Sequence, residues 1–289
     1  MDQNHSQHVI GLILPSVSND YCGRLADQLS EQFASHGYRL SISVTGRSIG
    51  MERELLHLYA DTADGILVVS EAAEYGELES AVPENVPAVF LNRKPAGCPH
   101  TSIIESNQLA VFQCILANAA SGNDRIALVC ANRHLSLSRE IIESYKNAMR
   151  STPSGFHEEW IFDTENMAVN PEEFVNQIVN AGCNTIFACT QTLTRQFLDY
   201  LLFYNPHAAS PVALIGFVNK GTPSKTQLAF DSIHQPLQEL TDLAVQQMLY
   251  RIQSPAAPVR EYLLKASYSS QKVDVVNLTE KNEQGNESL

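Results

Sequence analysis

The sequence predicts an α/β protein of two similar lobes, each a doubly wound parallel sheet, and three observations predict it. Short β-rich apolar runs alternate with stretches of 3.6-residue apolar spacing, and the alternation starts afresh near residue 125. The links between strands and helices are short, which for parallel neighbours requires right-handed crossovers. With 289 residues, 44% hydrophobic and 18% charged, the chain is long enough for two cores. No apolar run approaches the roughly 18 residues that a membrane span needs, so no membrane partner is expected.

The first run, "VIGLIL" (9–14), stops at Pro15, and a polar loop, "PSVSND", leads into a helix over about 21–36. Leu25, Leu29 and Phe33 share one face of that helix, and Gly37 is placed to end it as a C-cap. Strands follow at "YRLSISV" (38–44), "GILVV" (65–69) and "VPAVFL" (86–91). Ser121, Gly122 and Asn123 in "ASGNDRI" supply turn chemistry and mark the expected join between the lobes. The second set then reads "RIALVC" (125–130), a helix over 138–150, "EEWIF" (158–162), a helix opened by Pro171, "TIFAC" (185–189), a helix over 192–204 and "PVALIGF" (211–217). A helix over 237–252 and a strand over 259–265 break the symmetry, and the helix is expected to return to the first lobe. From Gln271 the chain turns polar and is expected to fray.

Composition narrows the function classes. Lys and Arg number 19 against 32 Asp and Glu, a net charge of -13 that repels a phosphate backbone, so this chain alone is not expected to grip nucleic acid. The polar N-terminus, "MDQNHSQH", has neither the basic nor the apolar part of a secretory signal, and a cytoplasmic location is expected. Six cysteines form no C-x-x-C pair and are read as reduced, buried small hydrophobes. No dinucleotide fingerprint, phosphate loop, nucleophile elbow or H-E-x-x-H motif occurs, and the nine histidines are scattered. Neither catalysis nor a cofactor or metal is expected.

The ordered set of motifs resembles the effector-binding core of the LacI family of bacterial transcription regulators. The segment "HVIGLILPSVSNDYCGRLADQLSEQFASHGYRL" looks like that family's first β-α-β unit, with its P-x-x-S-N loop, aromatic residue and later G-Y. "ERELLHLYADTADGILVV", "VPAVFLNR", "GNDRIALV", "SYKNAM", "TIFACTQ", "PVALIGF" and "SIHQP" follow at matching order and spacing over residues 8 to about 270. The resemblance implies a type I periplasmic-binding-protein fold with three hinge crossings and a small-molecule site between the lobes. On that template the first lobe takes 8–121 and 235–257, the second takes 122–234 and 258–272, and 273–289 is a polar tail. It also implies a sugar-like effector, a homodimer through the first lobe, and operator DNA bound only through a helix-turn-helix head. About eight residues precede Val9, so the expectation is a longer regulator cut to its sensing core rather than a headless protein. A solute-binding protein for transport is the alternative on the same fold.

Carried over residue by residue, the resemblance places Asn19, Tyr21, Ser106, Arg139, Thr164, Glu165, Gln191, Asn219 and Gln235 at the ligand. The chain departs from the family at several of these positions. Ile141 stands where a ligand-gripping Arg is usual, and Gln191, Val218 and Ser106 stand where Asp is usual. Tyr21 is expected to offer a ring for stacking, and Arg139 a replacement anchor for an anion or hydroxyl. Loss of charged partners should weaken or replace the usual sugar specificity.

Overall fold

The computed structural model describes residues 8–18, 20–131, 133, 136–164, 170–204, 212–219 and 230–270. Two six-stranded sheets carry the architecture. The first holds β1 (Val9–Leu14), β2 (Arg39–Val44), β3 (Gly65–Val68), β4 (Ala88–Leu91) and β5 (Thr101–Ser106), joined by α1 (Asp20–Ser35) and α2 (Ile49–Thr62). Next come α3 (Gln108–Ala120), β6 (Ile126–Cys130), α4 (Ser136–Met149), β7 (Ile161–Asp163), α5 (Pro171–Asn180), β8 (Thr185–Ala188), α6 (Gln191–Asp199), β9 (Ala213–Asn219) and β10 (Asp231–Gln235). The chain ends its described course with α7 (Leu237–Gln253), β11 (Glu261–Lys265) and β12 (Ser267–Ser269). Sheet orders are β11-β5-β4-β3-β1-β2 and β12-β10-β9-β8-β6-β7. Within each, the five strands other than β11 and β12 follow one doubly wound order, as the restarted alternation predicts.

Local chemistry accounts for the elements. Leu25, Leu29 and Phe33 are fully buried under α1. Gly37, at φ 80°, lets the chain leave that helix, with Tyr38 N–H donating back to Phe33 O at 3.0 Å. Pro171 begins α5, and the Asn170 side chain accepts from Glu172 N–H at 3.2 Å. The expected strand at 158–162 begins instead as a 3-10 turn, Glu158–Trp160, because the Trp160 indole folds inward to donate to Ala181 O at 3.3 Å.

Two expected boundaries need correction. The join near 121–122 is a helix end, not a crossing between lobes. The apolar face of α3 (Ala110, Val111, Cys114, Ile115) is buried in the second core, and Asn118 Nδ2 donates to Asp231 Oδ2 of β10 at 2.7 Å. The chain therefore crosses between Ser106 and Gln108. The strand expected to join the second lobe, β11, instead runs parallel to β5 and extends the first sheet, with Glu261 opposite Ser102. Only β12 reaches the second sheet, antiparallel to β10. The physical reason is an edge: β5 has one side unpaired until β11 fills it. α7 packs on the first sheet, its Leu240, Ala244 and Met248 buried among Leu25, Leu29 and Ile103. The described cysteines are free thiols, five of them buried. Among the described residues no helix is long and apolar enough to cross a membrane.

Candidate functional site

In doubly wound sheets ligands sit beyond the carboxyl ends of the strands. The carboxyl ends of both sheets here face one cavity of about 410 Å³. The first lobe contributes Tyr21 from α1, Arg47 after β2, Glu71 after β3, and Asn92 and Arg93 after β4. The second contributes Thr164 after β7, Thr190 and Gln191 at the start of α6, Phe217 of β9 and Gln235 at the end of β10.

A hydrogen-bonded path along the site joins the lobes. Gln191 Nε2 donates to Gln235 Oε1 at 2.7 Å, and Gln235 Nε2 donates to Glu105 Oε2 at 2.8 Å. The Tyr21 hydroxyl donates to Glu105 Oε1 at 2.8 Å. Glu105, on β5, is fully buried. Burial pushes its carboxyl up to about 7, nearby Glu140 adds to the rise, and the bonds from Tyr21 and Gln235 pull it back. Burial, with Glu105 beside it, likewise holds the Tyr21 phenol well above its ordinary value.

The first-lobe wall carries the charge and the backbone strain. Arg93 Nη1 lies 2.5 Å from Glu71 Oε1. Arg93 Nε and Asn92 Oδ1 are buried without a hydrogen-bond partner. Asn92 has φ 59° and Arg47 φ 66°; among the described residues only one other non-glycine, His8, has a positive φ. L-residues avoid this region, and such strain gathers at functional sites.

The residues expected at the ligand separate clearly. Tyr21, Thr164, Gln191 and Gln235 line the cavity. Tyr21 lines it with its hydroxyl committed to Glu105. Ser106 and Arg139 do not line it. The Ser106 hydroxyl donates to Glu140 Oε1 at 3.2 Å, and Asn107 N–H donates to the same oxygen at 2.9 Å, so α4 holds the chain where it crosses. Arg139 is exposed on α4, and Ile141, two residues on, reaches the wall in its place, a consequence of helical rotation by about 200° over two positions. Asn219 is the last residue of β9, and its side chain lies outside what the structure describes. Asn19 and Glu165 lie outside the described residues.

Five functional candidates were not singled out in the sequence: Arg47, Glu71, Asn92, Arg93 and Glu105. A signal existed for two sets of them. A Glu inside the apolar run "TSIIES" is a charge forced into a core, and "NR" closes the strand "VPAVFL" where cleft residues fall.

Fold and site together define a two-lobed α/β clamp with a polar cleft lined from both lobes. No family model matches the chain. The ribose operon repressor of Haemophilus influenzae is 21% identical over 262 residues, covering 89% of this chain and 78% of that protein. In fold, the chain matches the Cra transcriptional dual regulator of Pseudomonas putida in complex with fructose 1-phosphate (TM-score 0.78, 19% identity, 92% of this chain and 100% of that one). It also matches the lac repressor dimer bound to operator and an anti-inducer (TM-score 0.75, 17% identity, 93% and 94%). The chain is thus similar, over about nine-tenths of its length, to bacterial operon repressors, and shares the fold of solved regulators of that kind.

Proposed function

We propose that the chain is the effector-sensing and dimerisation core of a LacI-type transcriptional regulator acting in the cytoplasm, with a small polar, sugar-like molecule bound in the cleft. The observation that carries the reading is the path Gln191–Gln235–Glu105–Tyr21, which spans both lobes beside the cavity. A ligand that bonds Gln191 and Gln235 on one side and Asn92 on the other favours one relative setting of the lobes. Differential binding of that kind is what shifts a two-state equilibrium. Neutral donors and acceptors on Thr164, Thr190, Gln191 and Gln235 suit hydroxyl groups. The relatives' roles as repressors agree with sensing rather than turnover. Operator binding belongs to a DNA-binding head, since a net charge of -13 repels DNA. Homodimerisation is assigned to the first lobe.

Thermal-shift titration with a sugar panel, followed by small-angle scattering of the liganded protein, tests the reading. The expected result is a ligand that raises Tm and reduces the radius of gyration, on a protein that sediments as a dimer at micromolar concentration. A protein that stays strictly monomeric, or whose binding survives loss of both Gln191 and Gln235 side chains, sinks it.

A further inference from the structure

Among the described residues, the charged side chains on the cavity wall are Arg47, Glu71 and Arg93, which the first lobe supplies. Glu71 already faces Arg93 Nη1, so the wall carries one guanidinium beyond its carboxylate in a chain of net charge -13. Arg93 still holds an unpartnered, buried Nε–H. Arg47 stands on left-handed backbone, following Gly46 at φ 59°, and its N–H donates to Thr45 Oγ1 at 3.1 Å. That turn brings its side chain to the wall at the cost of strain. Asn92, likewise strained, lines the same cavity, and its Oδ1 is buried without a partner. Among the described residues, the second lobe's polar side chains on the wall are hydroxyls and amides.

We propose that the first-lobe wall is an anion subsite and that the effector is a polyol bearing a phosphate or carboxylate, its anionic group on Arg47 and Arg93 and its hydroxyls on the second lobe. The inference rests on the reading of the cleft as the effector site. Guanidinium donors pair with both oxyanions through forked, charge-assisted hydrogen bonds. Arg139, expected to supply such an anchor, is exposed on α4 and does not line the cavity.

Calorimetry and thermal shift with glucose, glucose 6-phosphate and gluconate, and with ribose and ribose 5-phosphate, test it on the full chain and on Arg47→Ala. Arg47 is exposed, so the variant is expected to fold, and the unliganded Tm checks this. The expected result is at least one charged sugar binding about tenfold or more tightly than its neutral parent, weakening with added salt, and losing about tenfold in Arg47→Ala. The phosphate and carboxylate arms separate the two sources of charge. A neutral parent that binds as tightly as its charged derivative, or anion affinity unchanged in Arg47→Ala, overturns the inference while leaving the cleft reading standing. Silence of every sugar at about 10 mM removes both.

Discussion

The two walls of the cleft come from sheets of matching strand order yet differ in chemistry. The first lobe presents two guanidiniums, a carboxylate and two residues on left-handed backbone; the second presents hydroxyls, amides and the apolar Ile141, Leu193 and Phe217. Among the described residues, the same fold unit thus supplies charge and strain on one side and neutral hydrogen bonding on the other. Between them sits Glu105, a carboxyl held near neutrality at the crossing. The difference teaches that the topology fixes where the walls stand while the loop residues alone decide what they recognise.

The comparison can be broken or sharpened by substitution. The largest effect is expected at Glu105. Its pKa is about 7 in the folded chain against an ordinary 4.5, so the folded state is not penalised below pH 4.5. Stability is lost as pH rises through 7, by about 3 kcal/mol in all. Glu105→Gln cannot ionise, so the stability of the variant minus that of the parent should climb with pH over that window; denaturant titrations between pH 4 and 8 read the slope. A flat difference would show that Glu105 stays charged throughout.

Next comes packing, compared between lobes. A Cβ on Gly216 would lie 2.2 Å from Thr194 Cγ2, and Thr194 is pinned because its Oγ1 accepts from Phe217 N–H at 3.0 Å. Gly216→Ala is expected to cost about 2 kcal/mol. In the first lobe a Cβ on Gly65 would meet Met248 Sδ at 2.3 Å, but a thioether chain moves aside, and about 1 kcal/mol is expected there. Urea midpoints of the two variants test the order. Asn92→Gly should relieve left-handed strain and a buried unpartnered oxygen, stabilising the free protein by up to about 1 kcal/mol while weakening effector binding. A gain in both stability and affinity would remove Asn92 from the site. Smallest of all, Arg139→Ala should change stability by less than about 0.5 kcal/mol and leave effector affinity alone.

What was legible in the sequence follows from how each feature is encoded. Leu25, Leu29 and Phe33 announce the buried face of α1 through spacing, and Pro171 announces the start of α5. The strands β5 and β10 are harder to find: "TSIIES" and "DSIHQ" mix polar residues into short runs, because Glu105 and Gln235 are buried by bonding to each other rather than by being apolar. The crossing before α3 was missed for a related reason. Ala110, Val111, Cys114 and Ile115 show that α3 has an apolar face, but not which sheet covers it. Tyr21 and Gln191, expected at the ligand, line the cavity, while the commitment of the Tyr21 hydroxyl to Glu105 needs the third dimension.

The return of α7 and β11 to the first sheet has a consequence for synthesis. Neither lobe is a continuous stretch of chain: β5 ends at Ser106 and α7 begins at Leu237, a gap of about 130 residues that builds the second lobe. At a usual translation rate of about 5–20 residues per second, the first sheet waits several seconds or more for its last helix and edge strand. During that interval Leu29 and Phe33 lack the α7 cover, Gln28 and Gln32 lack Thr241 and Asp242, and the β5 edge stands open. The newborn first half thus leaves apolar surface and a strand edge uncovered until the final fifth of the chain emerges, and a ribosome that stalls before residue 237 leaves an aggregation-prone fragment rather than a smaller folded protein.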